Sequence, residues 1–587
     1  DERALGQYCG LGVRALIDAC PEIDVVHFRV NHEAGVGTQD TKEGFWRDCI
    51  DGVASASRPV KLDLRAKGLT DGLIHYALAQ GLDVTVPTKY WCEHAGLPHH
   101  LTQMRAEELD RLDNLNHSRR YSYSDMLRKP RDYDLIYRLW NMGSSCLFLW
   151  GEIDYAARFA SSCAAGFQIA APLSLKAGHE LVQKDPWRLH ARGDLRHYVW
   201  EDERYWAWYV AFGRMGYSRA SGANAWAREL RLRFGANGGP LMGQVYAAAS
   251  RILPFITAAH MPVHPLLCYW TELDTGGPLF ADHNHHPQRG SVTYLNTEPS
   301  DPGLFYCVHE YVADAHAGSV RGKYTPLQVA ASLARMAADT RAAVNAADRV
   351  AAVVETDEYV ASRVDFTMLA DLADYHAQKM LAAVALETHG ATGDSSQLSA
   401  AHEHASEALG HWGTLAAVGG EAFHAPLDFS AGAGYARTAT WSDRTHELEK
   451  DVARLVGMLT SEGRVAEPAL ADAREATDWA VHAEAPTTTS HGSNVTVRLR
   501  SSSDAGAGTH VTMHHRHLNQ LDGSFRRAEM TPTEDGYSAV IPADGVSAEW
   551  DILVYFSALD ERGDPMLHPG IGHPAHDAPC FLIETHG

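Results

Sequence analysis

Acidic, basic and aromatic side chains follow the ends of several short apolar runs in this chain of 587 residues. In the first of them, Asp24–Val30, Val and Phe recur as they do in a buried strand, and Arg29, Asn31, His32 and Glu33 stand at or just beyond its end. A carboxylate beside an arginine and a histidine can be tuned as an acid or a base. The same glutamate could instead be a turn residue that caps the next helix.

Four later apolar runs carry the same mixture of side chains. Asp63 lies in the run Val60–Leu64 and Arg65 follows it, and the run Leu82–Val86 is followed by Lys89, Tyr90, Trp91, Glu93 and His94. Trp150 ends the run Cys146–Trp150, and Glu152 follows it. Trp270 ends the run Pro265–Trp270, and Glu272 follows it. Arg119 opens a weaker predicted strand, Arg119–Tyr123. If these strands are parallel, their carboxyl ends meet on one face, where ligands bind in α/β folds.

This set of residues has the composition of a glycoside hydrolase site. One carboxylic acid would protonate the leaving oxygen, a second carboxylate would act as base or nucleophile, and aromatic rings would stack on the sugar. The surplus of Arg, Lys and His predicts an anionic substrate such as a uronic acid. Structural interpretations remain open, because Glu152 suits a helix N-terminus, Glu93 an exposed loop, and Asp63 a partner within its own strand.

The elements that must position these residues are β/α units. Helices are predicted at Ala4–Cys20, Glu43–Ala54, Leu69–Gln80, Tyr133–Met142 and Ile153–Cys163, and a further strand at Phe167–Ala171. About six strands precede residue 175, and alternation with helices predicts a parallel sheet, most simply a (β/α)8 barrel. A doubly wound sheet is the alternative, although no Gly-x-Gly-x-x-Gly turn or phosphate loop supports nucleotide binding.

The pattern changes along the chain and predicts three domains. They are a β/α barrel at 1–275, a mainly helical domain at 276–484 and a β-sandwich at 490–587. The sandwich is predicted from four alternating runs, Val495–Leu499, His510–His514, Tyr537–Ile541 and Trp550–Phe556. This last domain would either pack on the barrel or bind carbohydrate.

Composition excludes several classes of partner. The net charge of −23 argues against nucleic acid and anionic membranes, and no apolar run approaches ~20 residues. The nine cysteines include no Cys-x-x-Cys pair, which favours a cytoplasmic location, with secretion after signal removal as the alternative. No cofactor and no catalytic metal are expected, although Asp282–His286 is rich in histidine. No Gly-x-Ser-x-Gly elbow is present, which argues against a serine hydrolase. The helical domain could support a homodimer.

One stretch resembles a known family. Pro21–Gly37 is similar to the segment of bacterial xylan α-glucuronidases that carries the general acid, and Val60–Arg65 and Leu82–Trp91 resemble the strands that follow it there. The resemblance implies that Glu33 is the acid and that the substrate contains glucuronic acid. It leaves Glu93 and Glu152 as candidates for base or nucleophile, because the family's runs around its other carboxylates are missing.

Two other functions fit the same residues. A polysaccharide lyase would use Tyr90 or His94 as base, with arginine neutralising the uronate. A non-catalytic glycan-binding protein would bind an oligosaccharide without turnover.

Overall fold

The computed structural model describes most of the chain. The described residues are 2–30, 36, 42–65, 69–88, 129, 131–139, 147–160, 165–169, 189–261, 271–281, 293–425, 427–428, 438–462, 467–470, 473–477, 479–501, 510–518, 524–571 and 579–587.

Five parallel strands form the N-terminal sheet in the order in which they occur along the chain. They are β1 Val25–Phe28, β2 Lys61–Leu64, β3 Val84–Thr88, β4 Asp134–Leu139 and β5 Gly166–Ile169. A doubly wound sheet reverses its strand order at a switch point, whereas a barrel does not. The sheet therefore has the topology of half a β/α barrel.

Within the described residues, four helices accompany this sheet. They are α1 Glu2–Ala19, α2 Lys42–Ala54, α3 Asp71–Ala79 and α4 Ile153–Ala160. The first two cross closely because glycines meet at the crossing: a Cβ added to Gly52 would lie 2.2 Å from the carbonyl oxygen of Gly10. On the sheet side, Trp46 of α2 packs against Phe28, with ring centroids 5.5 Å apart. These contacts cover the side of β1 that carries Val26 and Phe28 and leave His27 on the other side.

Two predicted elements of this region are wrong. Tyr133–Met142 was expected as a helix, but β4 occupies Asp134–Leu139, where Leu135 is buried and the strand pairs with β3 and β5. Pairing on both sides outweighs a helical spacing of apolar residues, since strand preference depends on context. The described part of the predicted strand Cys146–Trp150 is buried but forms no strand.

The backbone of residues 147–151 is held by side chains instead of by a strand. The Leu147 N–H donates to Glu272 Oε1 at 3.3 Å, and the Leu149 N–H donates to Asp365 Oδ2 at 3.2 Å. Arg204 Nη1 donates to the Leu147 carbonyl oxygen at 2.7 Å. Buried backbone groups need partners, and here distant residues supply them.

The middle of the chain is helical, and its helices begin at Glu201, within the range 1–275 that was predicted as the barrel domain. Its helices are α5 Glu201–Arg204, α6 Trp206–Tyr217, α7 Arg219–Ser250, α8 Ile252–Ala259, α9 Val308–His316, α10 Pro326–Ala347, α11 Ala351–Val354, α12 Asp357–Thr392, α13 Ser395–Ala422 and α14 Trp441–Glu462, with a short pair of strands, β6 Leu427–Asp428 and β7 Thr438–Ala439, before the last helix. The long helix α12 is buried along most of its length and forms the centre of this region. No helix in the described ranges has the length and apolar character needed to cross a membrane.

The C-terminal region consists of two β-sheets. Its strands are β8 Val481–Glu484, β9 Thr488–Ser490, β10 Val495–Ser501, β11 Val511–His517, β12 Arg526–Glu529, β13 Thr531–Thr533, β14 Gly536–Ile541, β15 Ile552–Leu559, β16 Pro565–His568 and β17 Phe581–His586. One sheet has the order β13-β14-β10-β8 and the other β12-β11-β15-β17-β9, with β16 beside β15. Pairing is antiparallel except between β9 and β17. The two sheets share one apolar core, as the alternating pattern predicted.

The C-terminal sheets are attached to the helical region by buried polar contacts. Arg516 of β11 forms a bidentate pair with Asp301, and both side chains are fully buried. The Tyr555 hydroxyl donates to the Gly322 carbonyl oxygen at 2.9 Å, and Gln328 Nε2 donates to the Pro565 carbonyl oxygen at 2.7 Å. The C-terminal region is therefore packed on the helical region.

Candidate functional site

A polar cluster occupies the inner face of the five-stranded sheet. Asp63 of β2 lies with its Oδ2 3.1 Å from His27 Nδ1 of β1 and accepts a hydrogen bond from Gln168 Nε2 of β5, also at 3.1 Å. In a flat sheet β2 and β5 would be three strand spacings apart, roughly 14 Å. Side chains of this size reach each other only because the sheet curves, so Asp63 lies on its concave face.

The carboxyl ends of β1 and β2 add cationic groups to the same face. Exposure alternates along residues 27–30, which puts His27 and Arg29 on the same, exposed side. Arg65 lies two residues beyond Asp63, and both of these side chains are buried. The Arg65 N–H donates to the Phe28 carbonyl oxygen at 3.0 Å, which continues the sheet to this position. The structure thus brings together three predicted site residues, Arg29, Asp63 and Arg65.

The side chain of Asp63 is almost inaccessible to solvent, whereas that of His27 is exposed. The side chain of Asp63 is 3% exposed and that of His27 is 37% exposed. Asp63 Oδ1 and the hydroxyl of Thr85, its register partner on β3, have no hydrogen-bond partner within the described residues. Buried polar atoms without partners are uncommon, and each calls for an explanation. His27, Thr85 and Gln168 were not identified from the sequence, and strand register is the signal that would have selected them.

Glu152 lies at the beginning of α4. Its Oε1 accepts the N–H of Asp154 at 2.9 Å, which is the contact of a carboxylate at a helix N-terminus. The side chain is buried and lines a small cavity with Ser250, Pro254 and Ile571. The capping interpretation is therefore realised in the structure, and a role as base or nucleophile stays a prediction.

Trp150 is part of an aromatic cluster in the core. Its ring stacks on Phe212 with centroids 5.0 Å apart and meets Trp208 edge-on at 5.1 Å. Because the residue is buried, a sugar could reach its ring only after these neighbours moved. Sugar stacking on Trp150 stays a prediction.

Glu272 is also buried and bonded to backbone groups. Besides the Leu147 N–H, the residue contacts Trp441, whose Nε1 donates to the Glu272 carbonyl oxygen at 2.9 Å. These contacts connect α14 to the segment before α4. They give Glu272 a definite structural role, and contact with substrate stays a prediction.

A buried ion pair behind the 147–151 segment was missed by sequence reasoning. Arg204 Nη2 donates to Asp365 Oδ2 at 2.6 Å, and Asp365 is 1% exposed. Burial raises the pKa of Asp365 to about 6, although Arg204 and the Leu149 N–H both act to lower it. The two residues lie 161 positions apart in the chain, so no short sequence motif could have predicted the pair.

Asp365→Asn is expected to remove a pH dependence of stability. Because the pKa of Asp365 is higher in the folded than in the unfolded protein, folding binds the proton between about pH 4 and pH 6, and acidification through this window stabilises the wild type. Relative to wild type, the Asn variant should therefore be more stable at about pH 7 than at about pH 4.5. Urea unfolding at both pH values measures this difference. Asp202→Asn, at an exposed position, is the control, and an unchanged difference between the two pH values would contradict the assignment.

The other predicted site residues lie outside the described ranges. They are Asn31, His32, Glu33, Lys89, Tyr90, Trp91, Glu93, His94, Arg119 and Trp270. The histidine-rich stretch 282–286 lies outside them as well. Within the described residues, no group of three or more His, Cys, Asp or Glu side chains is arranged to hold a metal ion.

Comparisons with known proteins identify a structural relative. No family model and no curated protein sequence matches the chain. Among solved structures, the chain is similar to a GH138 enzyme targeting pectin rhamnogalacturonan II, with a TM-score of 0.55 and 15% sequence identity. The match covers 78% of this chain and spans 65% of the length of that one. At this identity the likeness shows a shared fold, and the specific resemblance to xylan α-glucuronidases stays a prediction.

Proposed function

We propose that this chain is a glycoside hydrolase that cleaves a poly- or oligosaccharide at uronic-acid residues. The observation that carries the proposal is the polar concave face of the parallel sheet, where Asp63, His27 and two arginines stand at the carboxyl ends of the strands. Ligands bind at that end of a β/α barrel. The structural relative supports the class, since it is a glycosidase-family enzyme that targets a polysaccharide.

The proposed mechanism uses two carboxylates. Glu33 follows the last residue of β1 by five positions and would protonate the leaving oxygen, while Glu93 or Glu152 would act as base or nucleophile. Arg29 and Arg65 would bind the carboxylate of the sugar, because guanidinium groups match carboxylate geometry. A complete eight-stranded barrel around this face is part of the proposal.

A product assay on a panel of polysaccharides tests the proposal. The purified protein is incubated with uronic-acid-bearing and neutral polysaccharides, and new reducing ends are read together with ultraviolet absorbance. Reducing ends without absorbance are expected, with uronic-acid-bearing substrates only. Ultraviolet absorbance from a new double bond would show that the protein is a lyase and not a hydrolase. Absence of any product from the folded protein across the panel would contradict catalysis.

A further inference from the structure

His27 and Asp63 form a pair in which an exposed imidazole contacts a buried carboxylate. His27 Nδ1 and Asp63 Oδ2 lie 3.1 Å apart, which is the distance of an ion pair when the ring is protonated. Gln168 donates to the same oxygen of Asp63 from the far side of the curved sheet. Contacts from β1 and β5 thus fix the Asp63 carboxylate, and this carboxylate in turn orients the His27 ring.

The second ring nitrogen of His27, Nε2, is the one that does not contact Asp63. With Nδ1 against Asp63, Nε2 is the nitrogen that can contact a ligand, and it donates to an anion when both ring nitrogens carry a proton. The next residue outward on the same side of β1 is Arg29, which is exposed. An imidazolium and a guanidinium on the same side of the chain are both groups that bind anions.

Stability gives no evident reason for a buried carboxylate at this position. Asp63 Oδ1 has no hydrogen-bond partner within the described residues, and a buried oxygen without a partner is destabilising. Replacing buried charges by apolar residues is often neutral or stabilising. A buried carboxylate in contact with an exposed imidazole suits a role in positioning that ring.

We propose that His27 binds the carboxylate of an acidic sugar and that Asp63 is its positioning residue, itself fixed by Gln168. The choice of sugar rests on the proposed function. The binding step does not, because affinity can be measured without turnover. A purely structural pair, which only connects β1 to β2, would not distinguish a charged ligand from its neutral derivative.

Isothermal titration calorimetry of matched ligands tests this inference. The probes are an oligosaccharide that carries a glucuronic acid and the same oligosaccharide with its carboxyl group methyl-esterified. Wild type should bind the acid more tightly than the ester. His27→Gln should lower affinity for the acid by about tenfold or more, as expected for one charged hydrogen bond, and leave affinity for the ester unchanged.

The double variant separates positioning from direct contact. Asp63→Asn should weaken binding of the acid, and His27→Gln/Asp63→Asn should bind it no more weakly than His27→Gln alone, because Asp63 acts through His27. His75→Gln, at an exposed position on α3, is the matched control and should match wild type. If Asp63→Asn unfolds, the comparison of acid and ester in His27→Gln carries the test.

Several outcomes would overturn the inference. Equal affinity of wild type for acid and ester, unchanged binding by His27→Gln, or additive losses in the double variant would each do so. No binding of the acid by wild type at millimolar concentration would do so too, whatever the product assay gives. Selective binding of the acid without hydrolysis would instead reject the proposed function and leave the role of His27 standing.

Discussion

Glu33→Gln is expected to lower kcat by about 10²- to 10⁴-fold, the usual contribution of a general acid. The amide has nearly the size of the carboxyl group but no proton that it can transfer to the leaving oxygen. The loss should be much smaller with an aryl glycoside whose leaving group needs little protonation. Initial rates on a natural and an activated substrate measure both effects.

The control for this experiment lies eleven positions upstream. Glu22 is exposed before β1, and Glu22→Gln should keep the wild-type rate on both substrates. Circular dichroism spectra of all three proteins establish that the fold is unchanged. Near-wild-type turnover by Glu33→Gln would end its role as the acid, and an equal loss on both substrates would show that it acts in some other way.

Arg516→Ala is expected to destabilise the protein by about 3–5 kcal/mol, the cost of leaving one member of a buried ion pair without its partner. Asp301 would remain fully buried between the helical region and β11, and the packing of Phe525 on the guanidinium, 4.1 Å from the ring centroid, would also be lost. Urea unfolding followed by tryptophan fluorescence measures the loss.

Two further variants distinguish the pair from the arginine side chain in general. Arg498→Ala removes an exposed arginine from β10 and should change stability by less than about 0.5 kcal/mol. Arg516→Met/Asp301→Leu removes both charges and should recover most of the loss, because no charge remains buried. A single variant as stable as wild type would contradict the attachment of the C-terminal sheets through this pair.

The sequence predicts an element well where its own residues decide the structure. β1, β2 and β3 follow from short apolar runs between amphipathic helices, and β10 and β14 follow from strict alternation of buried and exposed residues. β4 was mistaken for a helix because its neighbours β3 and β5 decide its state. The 147–151 segment was mistaken for a strand because its backbone partners come from residues more than fifty positions away.

The same distinction applies to the candidate site. Arg29, Asp63 and Arg65 could be selected because side chains at strand ends converge in a parallel sheet. The contacts of Asp63 could not, since they depend on how strongly the sheet curves to bring Gln168 from β5 to β2. Curvature is a property of the whole sheet, and no short stretch of sequence encodes it.

Hydrolysis itself is tested most directly by carrying out the reaction in water enriched in ¹⁸O and weighing the products by mass spectrometry. Each cleaved glycosidic bond should bring one labelled oxygen to the new anomeric carbon, and product incubated with labelled water but without the protein corrects for exchange. The proposed function predicts one label per cleavage with wild type and almost no product with Glu33→Gln. Unlabelled products that absorb in the ultraviolet, or label that appears equally with both proteins, would contradict it.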